Sequence, residues 1–290
     1  MVIVRGAAES IAPPGMLPVV VLAEGAETGG PGPDHADAVV APDDLDAIIT
    51  RIDRVPQAAC ALAVLLRSQP ERTIEAGLAA ESAVYSTLQA GPEFATWRAA
   101  TSHDTVIDDE PTVSIERVGN ELTVTLDRPH RHNAITARLR DDLTAALRIP
   151  LADDSITRVV LRGAGPSFCT GGDLAEFGSR PDPATAHMTR LARSPARLVH
   201  LLADRTVARL HGFAMGGGIE TAAFAGHVVA HRDTRIALPE LELGLIPGAG
   251  GTMSLTRRMG RQRTALLAFG GETIDAATAL SWGLVDAIEV

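Results

Sequence analysis

Glu220 is the single charge in "GFAMGGGIETAAFAG" (212–226), and it follows three bare glycines. Glu240 and Glu242 alternate with leucines in "IALPELELGLIPGAGGT" (236–252), so in extended chain both would share one face. A carboxylate set among apolar residues is costly to bury unpaired. It is therefore paired, raised in pKa or at work as an acid or base. Glycines 216–218 allow another molecule's oxygen close to the backbone. A helix opening near 217 would present free N–H groups and a positive dipole end, which suit an anion or a carbonyl oxygen becoming one. "GPSFCTGGDLAEF" (165–177) offers a second set of such groups around Thr170 and Gly171. The bland alternative for each acid is a solvated residue in a first helical turn or a loop.

Several familiar chemistries are excluded by spacing. A dinucleotide loop would need glycine where Met253 stands, and a phosphate loop would need a G-K-[ST] ending. Cys169 takes the last glycine position of a G-x-S-x-G nucleophile elbow. No base is marked for Cys169 itself, which reads as a small buried residue. His130 and His132 lie in a proline-broken basic loop without an acid or cysteine at ligand spacing, so no metal is expected.

The chain has 290 residues, enough for one domain and an extension. Hydrophobic residues make up 46% and aromatics 3%, so the core must rest on Ala, Val, Leu and Ile. A net charge of −10 argues against a nucleic-acid partner. No apolar run approaches the ~18 residues of a membrane span. The start lacks a secretory apolar region, and two cysteines build no disulfide framework, so a cytoplasmic protein is expected.

The elements that must position these groups fall into two parts. In the first ~108 residues, "LPVVVLA" (17–23) reads as a buried strand, and "APDD" with Pro42 as a helix start. Residues 58–67 fit helix or strand equally. "PERTIEAGLAAESAVYSTLQ" reads as a helix with Ile74, Leu78, Tyr85 and Leu88 on one face. From 112, "TVSIERVGNELTVTLDRP" signals a hairpin around Gly119-Asn120. A helix over 135–149, a strand in "TRVVLRGA", a helix over 183–203, the strands "TVARLHG" and "HVVAH" and the glycine-opened helix follow. Alternating strands and helices indicate an α/β class.

Together these stretches resemble the crotonase superfamily, from about Thr112 to Ile288. "DRPHRHNAIT" is similar to its N-R-P-x-x-x-N-A entry to the first helix, and "SFCTGGDL" to its F-x-x-G-x-D loop. "HGFAMGGGIETA" is similar to G-G-G-x-E, "LPELELGLIPGAGGT" to P-E-x-x-L-G-x-x-P-G-x-G-G-T, and "ATALSWGLVD" to A-x-x-x-G-L-V-D.

The resemblance implies an α/β crotonase-type spiral of β-β-α units with an N-terminal extension domain. Residues 1–108 would form the extension, and 109–290 a core lacking the usual C-terminal helices. It implies an acyl-CoA substrate, no cofactor beyond the coenzyme A of that substrate, no membrane or nucleic-acid partner, and a homotrimer or hexamer. By resemblance, the backbone N–H groups of Thr170 and Gly217 hold the thioester oxygen, and Gly171, Gly172, Asp173 and Gly216 contact substrate. Glu220 and Glu240 are the implied catalytic pair, with Glu242 as the alternative on pattern. An enoyl-CoA hydratase leads; isomerisation, hydrolysis or dioxygenation of an acyl-CoA, or a non-catalytic partner subunit, stay open. The N-terminal helices, including 70–100, are expected to supply the cover that family members draw from their C-terminus.

Overall fold

Among the described residues, proline opens three of the first four α-helices, where its missing N–H has no partner to lose. The computed structural model describes residues 3–6, 15–102, 111–179 and 182–290. The expected boundary between 108 and 109 lies outside the described residues. Three short parallel strands come first: β1 (Ile3–Gly6), β2 (Val20–Glu24) and β3 (Ala38–Val40). Helices α1 (Pro42–Arg54), α2 (Pro56–Ser68), α3 (Ile74–Gln89) and α4 (Pro92–Ala100) follow. Helix α3 lacks the proline and is capped by Thr73, whose side chain accepts the Ala76 amide at 3.2 Å. The ambiguous stretch 58–67 is helical and carries Leu62, Leu65 and Leu66 inward. On α3 the buried stripe runs through Ile74, Glu81, Tyr85 and Leu88, so the expected apolar face has a carboxylate in its middle.

The hairpin forms as expected. Strands β4 (Val113–Val118) and β5 (Glu121–Leu126) pair antiparallel across Gly119-Asn120, with Gly119 at φ +61°. Helix α5 (Ala137–Ala152) then crosses to β6 (Arg158–Gly163). The helix expected over 183–203 is divided into α6 (Pro183–Ala192) and α7 (Pro195–Leu201). Pro195 cannot continue a helix, and the Ser194 hydroxyl accepts the Arg197 amide to start the next one. The chain proceeds through β7 (Thr206–Leu210), β8 (Phe213–Met215), α8 (Gly217–Ala222), β9 (His227–His231) and β10 (Arg235–Ala237). It ends with α9 (Gly251–Met259), α10 (Arg261–Gly270), β11 (Ile274–Asp275), α11 (Ala276–Trp282) and β12 (Ala287–Glu289).

The larger sheet has the order β12-β9-β7-β6-β5-β4 and is parallel except for the hairpin; the smaller has the order β11-β10-β8. Cys169 bridges Ala214 beside β8. Each turn of the chain thus lays one strand in the larger sheet and the next in the smaller: β6 then Cys169, β7 then β8, β9 then β10. This is the expected spiral of β-β-α units.

Apolar side chains from both parts of the chain form one continuous core, from Leu22, Val40 and Ile48 to Leu161, Val228 and Phe269. Helix α10 packs on β3, α1 and α2, while α3 packs on α6 and α9. Among the described residues no helix is long and apolar enough to cross a membrane.

Candidate active site

A cavity of about 610 Å³ opens where the glycine-bearing turns meet the N-terminal helices. Ile135, Gly172, Phe177, Gly217, Glu220 and Glu240 line it from one side, and Tyr85, Gln89, Phe94 and Arg98 from α3 and α4 line the other. In a chain so poor in aromatics, four gather here. The Phe94 ring stacks on Trp97 at 5.6 Å, and Trp97 meets Phe177 edge-on at 6.2 Å. The expected cover from residues 70–100 is therefore where the cavity needs a wall.

Glu220 lies in α8 and is 1% exposed. Its Oε2 accepts the Ala249 amide at 2.7 Å and the Gly251 amide at 2.8 Å, and Ser254 Oγ donates to its carbonyl. Burial raises its pKa to about 7, against the pull of those two amides toward the charged form. Glu240 begins a single 3-10 turn, Glu240–Leu243, and is 8% exposed. Burial, then the negative charge of Glu220, holds its pKa well above the ordinary carboxyl range. The charge of Glu220 thus favours the proton on Glu240, while the amides of Ala249 and Gly251 favour the anion on Glu220. Glu240 Oε2 is buried with no partner among the described residues. A buried polar atom left open in a cavity points to what the cavity binds.

Two bare α-carbons make room for this pair. A Cβ on Gly216, whose φ is +46°, would come within 2.3 Å of Glu240 Oε1, and one on Gly251 within 2.5 Å of Glu220 Cγ. Glu242 is exposed. The leucine alternation around it suggests extended chain with both acids on one face. The turn after Pro239 instead winds the segment, so only Glu240 points inward.

The backbone donors differ from expectation at one position. The Thr170 amide donates to the His132 carbonyl at 3.1 Å and is not free for a ligand. Gly172 takes that place. It forms a parallel bridge with Ile135, and the bridge uses the groups on either side of it. Ile135 N donates to Gly171 O at 2.7 Å, and Asp173 N donates to Ile135 O at 3.0 Å. The N–H of Gly172 is thereby turned away from Ile135, on the cavity wall. Gly217 is the first residue of α8, so its amide has no partner within the helix, and it lines the same cavity. The two turns touch: a Cβ on Gly171, at φ +88°, would lie 3.1 Å from Met215 O and 3.5 Å from Gly217 N.

Other expected contacts are structural. The Gly216 amide donates to Ala237 O at 3.0 Å. Asp173 borders the cavity, but its Oδ2 pairs with the buried Arg128 at 2.7 Å and its Oδ1 accepts the Ala175 amide. Asn133 Nδ2 donates to the carbonyls of Ala164, Ser167 and Phe168, which ties the "RPHRHN" loop to the turn bearing Gly172. His132 Nδ1 is bonded to Ser167 Oγ at 2.9 Å. Cys169 is buried, its thiol donates to Asn133 O, and burial lifts its pKa to about 12, an inert thiol.

Two residues escaped the motifs. Tyr85 packs under the Arg190 guanidinium at 4.6 Å, and burial pushes its phenol pKa up, so it presents a neutral hydroxyl. Glu81, also buried, has a pKa raised to about 8 by burial and by the charge of Glu220. The signal for Glu81 was present: it is a lone acid on the apolar stripe of a helix, as Glu220 is.

The family model for Enoyl-CoA hydratase/isomerase matches residues 118–289. An enoyl-CoA isomerase/hydratase of Mycosarcoma maydis is 36% identical over 186 residues, 61% of this chain and 68% of that protein. A 2,3-dehydroadipyl-CoA hydratase of Escherichia coli is 35% identical over 173 residues, 59% of this chain and 66% of that one. The matched part is thus about two thirds of each relative's length. Among solved structures, an enoyl-CoA hydratase from Thermoplasma volcanium aligns with a TM-score of 0.57 and 33% identity, covering 62% of this chain and 72% of that one.

Proposed function

The chain belongs to the enoyl-CoA hydratase/isomerase family, and we propose that it adds water across the double bond of a 2-enoyl-CoA thioester. The observation that carries this reading is the pair Glu220 and Glu240, buried together on a cavity bordered by the amides of Gly172 and Gly217.

In the proposed reaction the thioester oxygen accepts hydrogen bonds from those two amides. Glu220, as the anion, takes a proton from a water whose oxygen attacks C3. The C2–C3 π electrons move onto the thioester oxygen as an enolate, which is the charge the amides stabilise. Loss of one such donor costs roughly 10²–10³ in rate in hydrolases. As the enolate collapses, C2 takes the proton held by Glu240. The product is the 3-hydroxyacyl thioester, with Glu220 now protonated and Glu240 ionised. Before the next turnover Glu220 gives up that proton to solvent and Glu240 takes one up.

The proposal needs no cofactor besides the coenzyme A of the substrate, and it extends to a homotrimer or hexamer acting in the cytoplasm. Light scattering and cell fractionation address the assembly and the compartment. The deciding experiment is the loss of enoyl-thioester absorbance when the protein meets a panel of aliphatic and aryl 2-enoyl-CoA substrates. Binding of these thioesters without any loss of absorbance would remove the hydratase reading.

A further inference from the structure

Glu81 reaches the catalytic loop from the other end of the chain. Its carboxylate is buried in α3 and fully engaged. Oε1 accepts the Gly250 amide at 2.6 Å; Oε2 accepts the Thr252 amide at 2.9 Å and Thr252 Oγ1 at 2.6 Å. Gln69 Nε2 donates to the same hydroxyl at 2.6 Å, which commits the hydroxyl proton to Glu81. Every one of these hydrogen-bond partners is a donor; donors favour the anion, against the burial that lifts the Glu81 pKa to about 8.

Four successive amides alternate between two carboxylates. Glu220 holds those of Ala249 and Gly251; Glu81 holds those of Gly250 and Thr252. They lead into α9, whose N-terminal dipole suits negative charge. The loop has little room to adjust. Gly250 sits at φ +104°, and a Cβ there would lie 2.5 Å from the Phe224 ring. In so close a fit, displacing the donors of one carboxylate displaces those of the other.

We propose that Glu81 is a positioning residue for hydration: by holding the amides of residues 250 and 252 it fixes the loop whose intervening amides aim Glu220 at the reacting water. This rests on the assignment of Glu220 as the base in the reaction above. Glu81 does not line the cavity, so it acts through the loop and through its charge. The ionisable groups that face it are Glu220 from α8, Glu240 from the turn after β10, Arg190 from α6 and Tyr85 one turn further along α3. Negative charge on Glu81, which builds as pH rises through about 8, opposes ionisation of Glu240. Its removal lowers the Glu240 pKa and brings the alkaline limb of the rate profile to lower pH.

The test compares full-length wild type with Glu81→Gln and Glu81→Asp in hydration of crotonyl-CoA and in amide hydrogen exchange. In Glu81→Gln, kcat is expected to fall at least about tenfold with KM within about threefold. Its alkaline limb moves to lower pH, and faster exchange is confined to residues 249–252. Glu81→Asp keeps the charge and keeps the limb where wild type has it. Wild-type kcat and limb in Glu81→Gln would overturn the proposal. So would a loss of kcat accompanied by uniformly faster exchange across β6 and β7, which marks a residue that serves only fold stability. If wild type itself turns over no enoyl-CoA, the hydratase reading has failed, and exchange still decides on Glu81. Acceleration confined to 249–252 supports its hold on the loop, and unchanged exchange there refutes it.

Discussion

The carboxyls of Glu220 and Glu240 line one cavity where both are shielded from bulk water, and the charge of Glu220 raises the pKa of Glu240. Two acids so placed cannot both ionise cheaply, and their surroundings decide which keeps the proton. Glu220 accepts two amides; Glu240 has an oxygen with no partner among the described residues. Base and acid are assigned accordingly.

The pH dependence follows from that assignment. Activity requires Glu220 ionised, so kcat/KM rises as pH increases through about 7. It requires Glu240 protonated, so it falls again at higher pH as that raised carboxyl ionises. The limbs belong to the coupled pair rather than to either residue. Initial rates across pH give the curve; a profile flat through neutrality contradicts the assignment.

Glu240→Gln keeps the shape of the side chain but has no proton to give to C2. A drop in kcat of roughly 10²–10⁴ is expected, with thioester affinity retained. Turnover and a direct binding titration check both halves; undiminished turnover would clear Glu240 of the acid's part.

Gly216→Ala places a methyl 2.3 Å from Glu240 Oε1 at a φ of +46°, so the carboxyl must move. A loss of about 10² in kcat is expected from a displacement of that kind. Gly270→Ala, whose Cβ meets nothing within 4 Å, is the control and should match wild type in rate and melting temperature.

Arg128→Met tests the support beneath the Gly172 turn. Arg128 is fully buried against Asp173 at 2.7 Å, and its removal leaves that buried carboxylate only the more exposed Arg131, 3.9 Å away. Unfolding by denaturant should show a loss of about 3–5 kcal/mol, as for other broken buried pairs. A stability near wild type would show that the turn stands without the ion pair.

How much of this could be read from residue order depends on the range of the interactions. Glu220 and Glu240 stand out locally, as lone charges beside bare backbone in apolar surroundings. The hairpin at Gly119-Asn120 is equally local. Thr170 was the wrong donor because its amide is spent on His132, and a pairing across 38 positions leaves no trace in the turn itself. Glu242 shares the leucine alternation of Glu240, yet the rotation after Pro239 separates them. Glu81 obeys the same rule that exposed Glu220. Its donors lie about 170 residues downstream, at separations of 169 and 171, so its helix alone reads as an ordinary amphipathic one.

Those separations bear on synthesis. The ribosome releases α3 well before residues 250–252, so through the synthesis of the residues between them a nascent chain carries Glu81 on an apolar helix face without its donors. A catalytic wall made before its foundation leaves the chain exposed to misassembly until residues 250–252 have emerged. Slowing translation after α3 should therefore lower the yield of active protein.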